Sequence, residues 1–491
     1  MPKNAKVQET GGLAAVFFSV GVLLGILATA MLVPAATDYI VGNSDGSAFL
    51  ISAALTGFTG ILLVLGNRRR QLHLTRRNAF VLTTVSWLAT GVCGGLPFML
   101  STLHLSFADA FFETISGLTT TGSTILTGLD LMPSGILLWR GLLQWLGGIG
   151  IIVMAVSILP FLQVGGMHLI QTEFSDRSEK VMPRPAQFGR ALVTVYVFLS
   201  ASCALLYWNG GMSGFDAIVH AMTTISTGGY SNYDSSLGHF PQPFIQVTAI
   251  VFMVLGGLPF VMYVRMLRGD FYHIWSAGQA RTFIMMLVGV IAFLTLWLWV
   301  KGGMPPIKAL MLVAFQVVSI VTTTGYVTAD YEQWVQGTEA VFLILTIIGG
   351  CMGSTAGGIK ILRFQIMFAA IRYHLRQLIF PRMALAFSYS ERIGDTHIIS
   401  TVFTFFAVFI ATYAALAIAL SLFGLDIVTS LSASATAMCN VGPGLGAIIG
   451  PAGNFAALPN GAKWLLSLGM LMGRLELFTV FAFLLPLFWR R

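Results

Sequence analysis

Residues 112–122 read Phe112-Glu113-Thr114-Ile115-Ser116-Gly117-Leu118-Thr119-Thr120-Thr121-Gly122. A short apolar stretch, near 107–119, runs into a string of threonines and a glycine. Similar strings follow at Thr224-Ile225-Ser226-Thr227-Gly228-Gly229, Val321-Thr322-Thr323-Thr324-Gly325-Tyr326 and Met438-Cys439-Asn440-Val441-Gly442-Pro443. Their apolar lead-ins lie near 214–225, 307–321 and 427–438. All are shorter than the about 20 residues that cross a bilayer. One Thr-Thr-Gly carries little, because both residues are common in membrane helices. Four copies, with glycines 106, 97 and 117 residues apart, describe a repeat of roughly a hundred residues.

The composition around these strings belongs to a membrane protein. The chain has 491 residues but only 9% charged, with 56% hydrophobic and 37 phenylalanines. Mean hydropathy is +0.83. So few charges cannot coat a water-facing surface. A soluble enzyme, a nucleic-acid-binding domain and a disordered scaffold are excluded, and the lipid bilayer is the expected surrounding. The four cysteines, Cys93, Cys203, Cys351 and Cys439, show no metal or disulfide spacing.

Long apolar runs near 12–36, 47–66, 79–101, 135–163, 188–208, 243–266, 282–300, 338–370 (interrupted), 398–423 and 463–489 give ten expected spans. With both termini cytoplasmic and the four short stretches re-entrant, 21 of the 27 Lys and Arg fall inside and 11 of the 19 acids outside. Turning any short stretch into a span reverses every later loop and spoils this asymmetry. Arg140 and Lys463 fall on the outer side, and Arg363 inside. Arg474, Glu476 and Lys360 are the charges expected within spans. Trp139, Trp145, Trp208 and Trp464 read as interfacial anchors.

The expected fold class is therefore an all-α polytopic membrane protein. It comprises four span–pore helix–filter loop–span repeats in pseudo-fourfold arrangement, plus an N-terminal two-helix hairpin, with ten spans and four re-entrant pore helices. The expected units are the hairpin (1–70) and repeats over 71–175, 176–275, 276–385 (with the interrupted second span) and 386–491. Glycines recur in each repeat's second span: Gly147-Gly148, Gly256-Gly257, Gly349-Gly350 and Gly473. Small residues there let helices approach closely.

Irregular backbone at membrane depth must be buried in protein or line a watery cavity. Four such loops around one axis offer rings of carbonyl oxygens, which can replace the hydration shell of a bare monovalent cation. Glycine supplies the backbone freedom, and Thr or Ser hydroxyls add ligands or braces. Asp109 and Asp216 suit the first turn of a helix. Glu113 either braces the first short helix or caps local donors, and His220 reads as a packing residue.

These motifs resemble the Trk/Ktr/HKT superfamily of potassium transporters, most closely the bacterial TrkH/TrkG type. The resemblance runs over essentially the whole chain. Gly353-Ser354-Thr355-Ala356-Gly357-Gly358-Ile359-Lys360 and Gly473-Arg474-Leu475-Glu476 carry it along with residues 112–122. It implies potassium as the transported ligand, bound by Thr120, Thr121, Gly122, Ser226, Thr227, Gly228, Thr323, Thr324, Gly325, Asn440, Val441 and Gly442. It implies filter glycines at 122, 228, 325 and 442. Gly122, where some sodium-permeable relatives carry serine, favours potassium; a sodium-permeable or sodium-coupled transporter is the alternative. The fourth loop departs from the threonine pattern, so its backbone rather than its side chains is expected to contribute. The resemblance further implies a homodimer in the bacterial inner membrane and a cytosolic nucleotide-binding subunit of the TrkA type.

Gly349, Gly350, Gly353, Ser354, Thr355, Ala356, Gly357 and Gly358 interrupt a span with residues that cannot favour a helix. They form either a tightly packed kink or a loop that blocks and opens the path; the resemblance implies the second, a gate. Arg474 is a pore-charge candidate that repels ions or binds gate carbonyls, rather than pairing with Glu476, which is two residues away and off its face. Lys360 is the second pore-charge candidate, or reaches the interface. No phosphate-binding loop, dinucleotide motif or catalytic signature is present, so no nucleotide site or enzyme activity is expected of this chain, and no nucleic-acid partner. Basic segments at Arg68–Arg77, Arg177–Arg190 and Arg363–Arg382 are docking candidates or topology signals alike.

Overall fold

A computed structural model of the chain describes residues 3–68, 75–157, 185–267, 269, 278–383, 387–389, 392–393, 397–484 and 486. It is helical apart from a two-residue antiparallel pair, Ser388–Tyr389 with Arg392–Ile393. The helices run α1 (Lys3–Val41), α2 (Gly46–Asn67), α3 (Arg76–Leu100), α4 (Phe107–Leu118), α5 (Ser134–Ser157), α6 (Pro185–Asn209), α7 (Gly214–Ile225), α8 (Pro243–Gly257) and α9 (Phe260–Leu267). They continue as α10 (Gly278–Gly302), α11 (Pro306–Val321), α12 (Thr338–Ile347), α13 (Ile361–Ile379), α14 (His397–Leu422), α15 (Ile427–Cys439), α16 (Asn460–Arg474) and α17 (Leu477–Leu484).

Among the described residues, seven helices are long and apolar enough to cross a membrane. They correspond to α1, α2, α3, α5, α6, α10 and α14, and the four short stretches of the sequence are α4, α7, α11 and α15. Three second spans are broken. The expected continuous run over 243–266 bends by 92° between α8 and α9, because Pro259 cannot continue a helix. The run over 463–489 breaks after Arg474, where Glu476 takes a left-handed φ of 63°. Residues 348–360 separate α12 from α13, as the small residues there require. Residues 158–163, 485 and 487–489 of the expected spans lie outside the described residues.

The packing is cyclic. Each short helix packs on the first span of its own repeat (α4 on α3, α7 on α6, α11 on α10, α15 on α14). Each also packs on the second span of the preceding repeat: α7 on α5, α11 on α8, α15 on α12, and α4 on α16, which closes the ring. The hairpin α1–α2 lies outside this ring against α3 and α5. Two buried aspartates stitch it there. Asp38 accepts from the Gly135 N–H at 2.7 Å, and Asp45 from the Thr102 N–H at 3.0 Å.

The molecule is apolar outside and polar at its centre. Phe198, Leu205, Val288, Leu296, Ile410 and Ile418 are exposed along the long helices, whereas Thr119–Thr121, Ser226, Thr227 and Thr322–Thr324 are fully buried. That inversion suits a protein whose solvent is lipid. Trp208 and Trp464 are exposed, as anchors require. Trp139 is not an anchor: it is buried and donates its indole N–H to the Gly94 carbonyl at 3.0 Å.

Three of the second-span glycines, one each from repeats 1, 2 and 4, share a reason. A Cβ on Gly147 would lie 1.9 Å from the Leu118 carbonyl oxygen, and one on Gly473 2.1 Å from that of Met438. Gly256 meets the Ile225 carbonyl in the same way, at 3.2 Å. In each case the glycine sits against the end of its own repeat's short helix.

Candidate functional site

Three of the four short helices begin on a side-chain cap, α11 beginning instead at Pro305-Pro306 without one, and all four run into a left-handed residue. Ser106 and Ser213 accept from the N–H of Asp109 and Asp216, whose carboxylates receive the serine hydroxyls at 2.7 Å, and Asp426 caps α15 through Thr429 N–H. This is helix capping by side-chain oxygens. The acid Asp109 also pairs with Lys463 at 2.6 Å. At the far end the chain turns through one left-handed residue per repeat: Thr120 (φ 52°), Thr227 (51°), Thr323 (58°) and Asn440 (55°). For a β-branched threonine this is strained backbone, of a kind that collects at functional sites.

The left-handed residue fixes the register of the loops. Two positions later stand Gly122, Gly229, Gly325 and Gly442, all with positive φ. The second loop therefore departs from the expected filter glycine at 228. Gly228 occupies the place of Thr121, Thr324 and Val441, and Gly229 that of Gly122. Matching the Thr-Gly dipeptides slips loop 2 by one residue. Counting from the first-turn acids avoids the slip, since Gly122 and Gly229 each lie 13 residues past Asp109 and Asp216.

Hydrogen bonding sets which way the loop carbonyls face. The N–H groups of Thr121, Gly228, Thr324 and Val441 donate back to Ser116, Thr223, Ser319 and Thr436, five residues earlier, at 2.8, 2.9, 2.8 and 3.1 Å. All peptides among the described residues are trans. In a trans peptide the carbonyl points opposite its N–H. The carbonyls of Thr120, Thr227, Thr323 and Asn440 thus point away from their helices, and none of them accepts a hydrogen bond among the described residues.

The loops close on one another in order. A Cβ on Gly122 would meet the Gly228 carbonyl oxygen at 2.2 Å, one on Gly229 that of Thr324 at 1.8 Å, one on Gly325 that of Val441 at 2.0 Å, and one on Gly442 that of Thr121 at 2.9 Å. A side chain at any of the four would break the ring. Side chains fasten the seams. Tyr230 donates its hydroxyl to the Glu113 carbonyl at 2.8 Å, and Tyr326 to the equivalent His220 carbonyl at 3.1 Å. Asn440 donates to Thr121 Oγ1 at 2.9 Å, and Ser123 to the Gly442 carbonyl at 2.9 Å.

Behind the ring, one helix position serves three repeats. Glu113 accepts from Ile125 N–H and Thr124 Oγ1, each at 2.9 Å; His220 bonds Ser231 Oγ at 3.0 Å; Gln316 donates to the Ala329 carbonyl at 3.1 Å. Each ties a short helix to the segment leaving its loop, so Glu113 is a brace and His220 a satisfied packing residue. Arg140, expected among outer charges, is buried in α5. It pairs with Glu113 at 2.9 Å, donates to the Ser231 carbonyl at 2.8 Å and lies 4.1 Å over the Tyr230 ring.

Residues 348–360 lie directly against the ring's helix ends. Thr355 Oγ1 meets the Ile225 and Gly256 carbonyls at 3.0 Å and Thr227 Oγ1 at 3.2 Å. Gly357 N–H donates to Thr323 Oγ1 at 2.6 Å and Gly358 N–H to the Cys439 carbonyl at 2.8 Å. The loop thus touches repeats 2, 3 and 4. Arg474 Nη2 donates to the Thr355 carbonyl at 2.8 Å, and Lys360 Nζ to the Ala356 carbonyl. Glu476 pairs not with Arg474 but with Arg363 at 2.6 Å. Arg363, expected on a docking surface, is buried over the Phe405 ring. A cavity of about 60 Å³ below the loop is lined by Gly357, Lys360, Arg363, Arg474 and Glu476 among others. The charges buried in the helical interior therefore include Glu113, Arg140 and Arg363 beyond those expected. Residues 69–74 and 177–184 of the other basic segments lie outside the described residues.

A polytopic helical protein with four cyclically arranged loops, whose carbonyls point away from their helices, fits the class of membrane cation transporters. The profile of the TrkH family, described as a cation transport protein, matches residues 46–486. The chain is 45% identical over 471 residues, 96% of each chain, to the Trk system potassium uptake protein TrkI of Halomonas elongata. It is 36% identical to Trk system potassium uptake protein TrkH of Escherichia coli, over 96% of this chain and 98% of that one. The crystal structure of the potassium transporter TrkH from Vibrio parahaemolyticus superimposes with a TM-score of 0.90 at 32% identity, covering 97% of this chain and 100% of that one. The chain belongs to the TrkH family and is a transporter, not an enzyme.

Proposed function

We propose that the chain takes up potassium through a single axial pore whose selectivity filter is the ring of loops around Thr120–Gly122, Thr227–Gly229, Thr323–Gly325 and Asn440–Gly442. The observation that carries this reading is the set of four unpartnered carbonyls, at Thr120, Thr227, Thr323 and Asn440, turned away from four converging helices. Such a ring replaces the water of a bare monovalent cation. The short helices end at the ring, and their negative dipole ends favour a cation. Asn440 and Val441 contribute backbone; Ser226, at the end of α7, holds the turn.

The segment Gly349–Gly358 acts as the gate. It plugs the ring on one side through Thr355, Gly357 and Gly358, and Arg474 and Lys360 place positive charge on the ion's route there. The distribution of Lys and Arg supports cytoplasmic termini, with the gate on the cytoplasmic side of the filter and the protein in the bacterial inner membrane. Likeness to Trk system proteins supports a homodimer and control by a cytosolic nucleotide-binding subunit of the TrkA type.

Uptake of labelled potassium and labelled sodium into liposomes holding the purified chain, with and without the cytosolic subunit, tests the reading. Potassium is expected to enter in preference to sodium. Equal entry of the two ions favours the sodium-permeable alternative, and entry of neither defeats both.

A further inference from the structure

Gln144 is fully buried on α5, in the first repeat, yet its carboxamide reaches into the loop of the second. Nε2 donates to the Gly228 carbonyl at 2.6 Å, and Oε1 accepts from the Tyr230 N–H at 3.0 Å. The two bonds straddle Gly229, the left-handed glycine of that loop. In the equivalent places Thr121 and Thr324 carry side chains, whose hydroxyls bond Thr119 Oγ1 at 2.7 Å and Thr322 Oγ1 at 2.8 Å. Loop 2 has no side chain there. A Cβ on Gly228 would lie 2.3 Å from Gln144 Cδ, so the carboxamide occupies the space that a threonine fills elsewhere. Among the described residues, the carbonyls of Thr121, Thr324 and Val441 accept no hydrogen bond, whereas that of Gly228 is held.

Two consecutive glycines are the most mobile backbone a loop can have. A ring that discriminates ions needs each of its walls held. We infer that Gln144 is a positioning residue for ion discrimination: it clamps the Gly228–Gly229–Tyr230 backbone in place of the missing loop side chain. This deepens the proposed filter function and rests on it. The consequence is an asymmetric filter, in which loop 2 takes from a spanning helix of the neighbouring repeat the support that Thr121 and Thr324 supply within loops 1 and 3.

The test uses the full chain in liposomes and reads the ratio of labelled potassium to labelled sodium uptake beside the thermal midpoint. Gln144→Leu keeps the bulk and removes both hydrogen bonds. The ratio is expected to fall about tenfold, within the combined net strength of two hydrogen bonds. Gln144→Met keeps the length of the side chain and removes both hydrogen bonds; it is the variant to read if the leucine protein does not fold, and the ratio falls there too. Gly228→Thr alone is expected to abolish selective uptake, and Gly228→Thr with Gln144→Ala to restore a large part of it, because the second change vacates the space. A wild-type ratio in the folded Gln144 variants, with only the rate reduced, overturns the inference. So does a double variant no better than Gly228→Thr. Failure of the wild-type chain to prefer potassium defeats the filter reading instead, and the wild-type lane separates the two failures.

Discussion

Arg474 and Thr355 stand 119 residues apart in sequence and meet at 2.8 Å, guanidinium to carbonyl, directly under the loop ring. Thr355 in turn reaches the ends of α7 and α8 through its hydroxyl. One side chain from the fourth repeat therefore holds the interrupted span of the third against the second. In the gate proposed above, a charged hydrogen bond of this kind acts as a latch whose removal frees the segment it holds.

Arg474→Ala is expected to raise potassium uptake on the order of tenfold, within the strength of a charge-assisted hydrogen bond. The potassium-to-sodium ratio should stay at its wild-type value, because the ring itself is untouched. Stopped-flow or tracer flux with purified protein measures both. A folded variant with slower flux contradicts the latch.

The gate segment makes a related prediction. A Cβ on Gly357 would lie 2.2 Å from the Cys439 carbonyl oxygen, a backbone atom with no room to yield. Gly357→Val should push the segment away from α15, changing the rate severalfold while leaving ion preference alone. A variant with the wild-type rate refutes the gate assignment for this segment.

Loop register gives a sharper comparison. Gly229 has φ 76°, and its Cβ would lie 1.8 Å from the Thr324 carbonyl oxygen, so Gly229→Ala is strained twice over. Gly228→Ala meets only the Gln144 side chain and needs no unusual φ. Flux is expected to fall more than tenfold in the first and clearly less in the second, a gap in keeping with the cost of left-handed backbone for a residue with a side chain. The reverse order of damage places the filter glycine at 228.

The repeat was legible because its signal is local. Short apolar helices, caps and Thr-Gly strings are neighbours in sequence, and charge sorting separates them from spans. The interruption at 348–360 was legible for the same reason. What escaped is what depends on partners far along the chain. Arg140 looks like a loop charge until Glu113 is seen beside it, and Arg363 like a surface charge until Glu476 is. Gln144 carries no sequence signal, since only the missing side chain at Gly228 gives it a task. The register of loop 2 escaped because a Gly-Gly doublet offers two matches to one motif, and the deciding signal is the count from Asp216.

The buried pair Glu113–Arg140 yields a last prediction, that the double change costs less than either single one. Both residues are fully enclosed and hydrogen-bonded at 2.9 Å, with Thr124, Ile125 and Ser231 as further partners. Removing one partner leaves a buried charge without its counterion, which costs about 3–5 kcal/mol. Arg140→Met and Glu113→Leu should therefore each lower the thermal midpoint of the detergent-solubilised protein by several degrees. The double variant leaves no unpaired charge, and replacing a buried pair by apolar groups is often neutral. It is expected to melt above either single variant. Additive losses in the double variant are incompatible with a coupled pair. The pair also holds the Ser231 carbonyl and faces the Tyr230 ring, so the double variant separates folding from filtering. If the pair only stabilises, potassium preference returns with the melting temperature. If it also aligns the segment leaving loop 2, stability returns while preference stays lost, and the loss of the Arg140 hydrogen bond to the Ser231 carbonyl makes this second outcome the expected one.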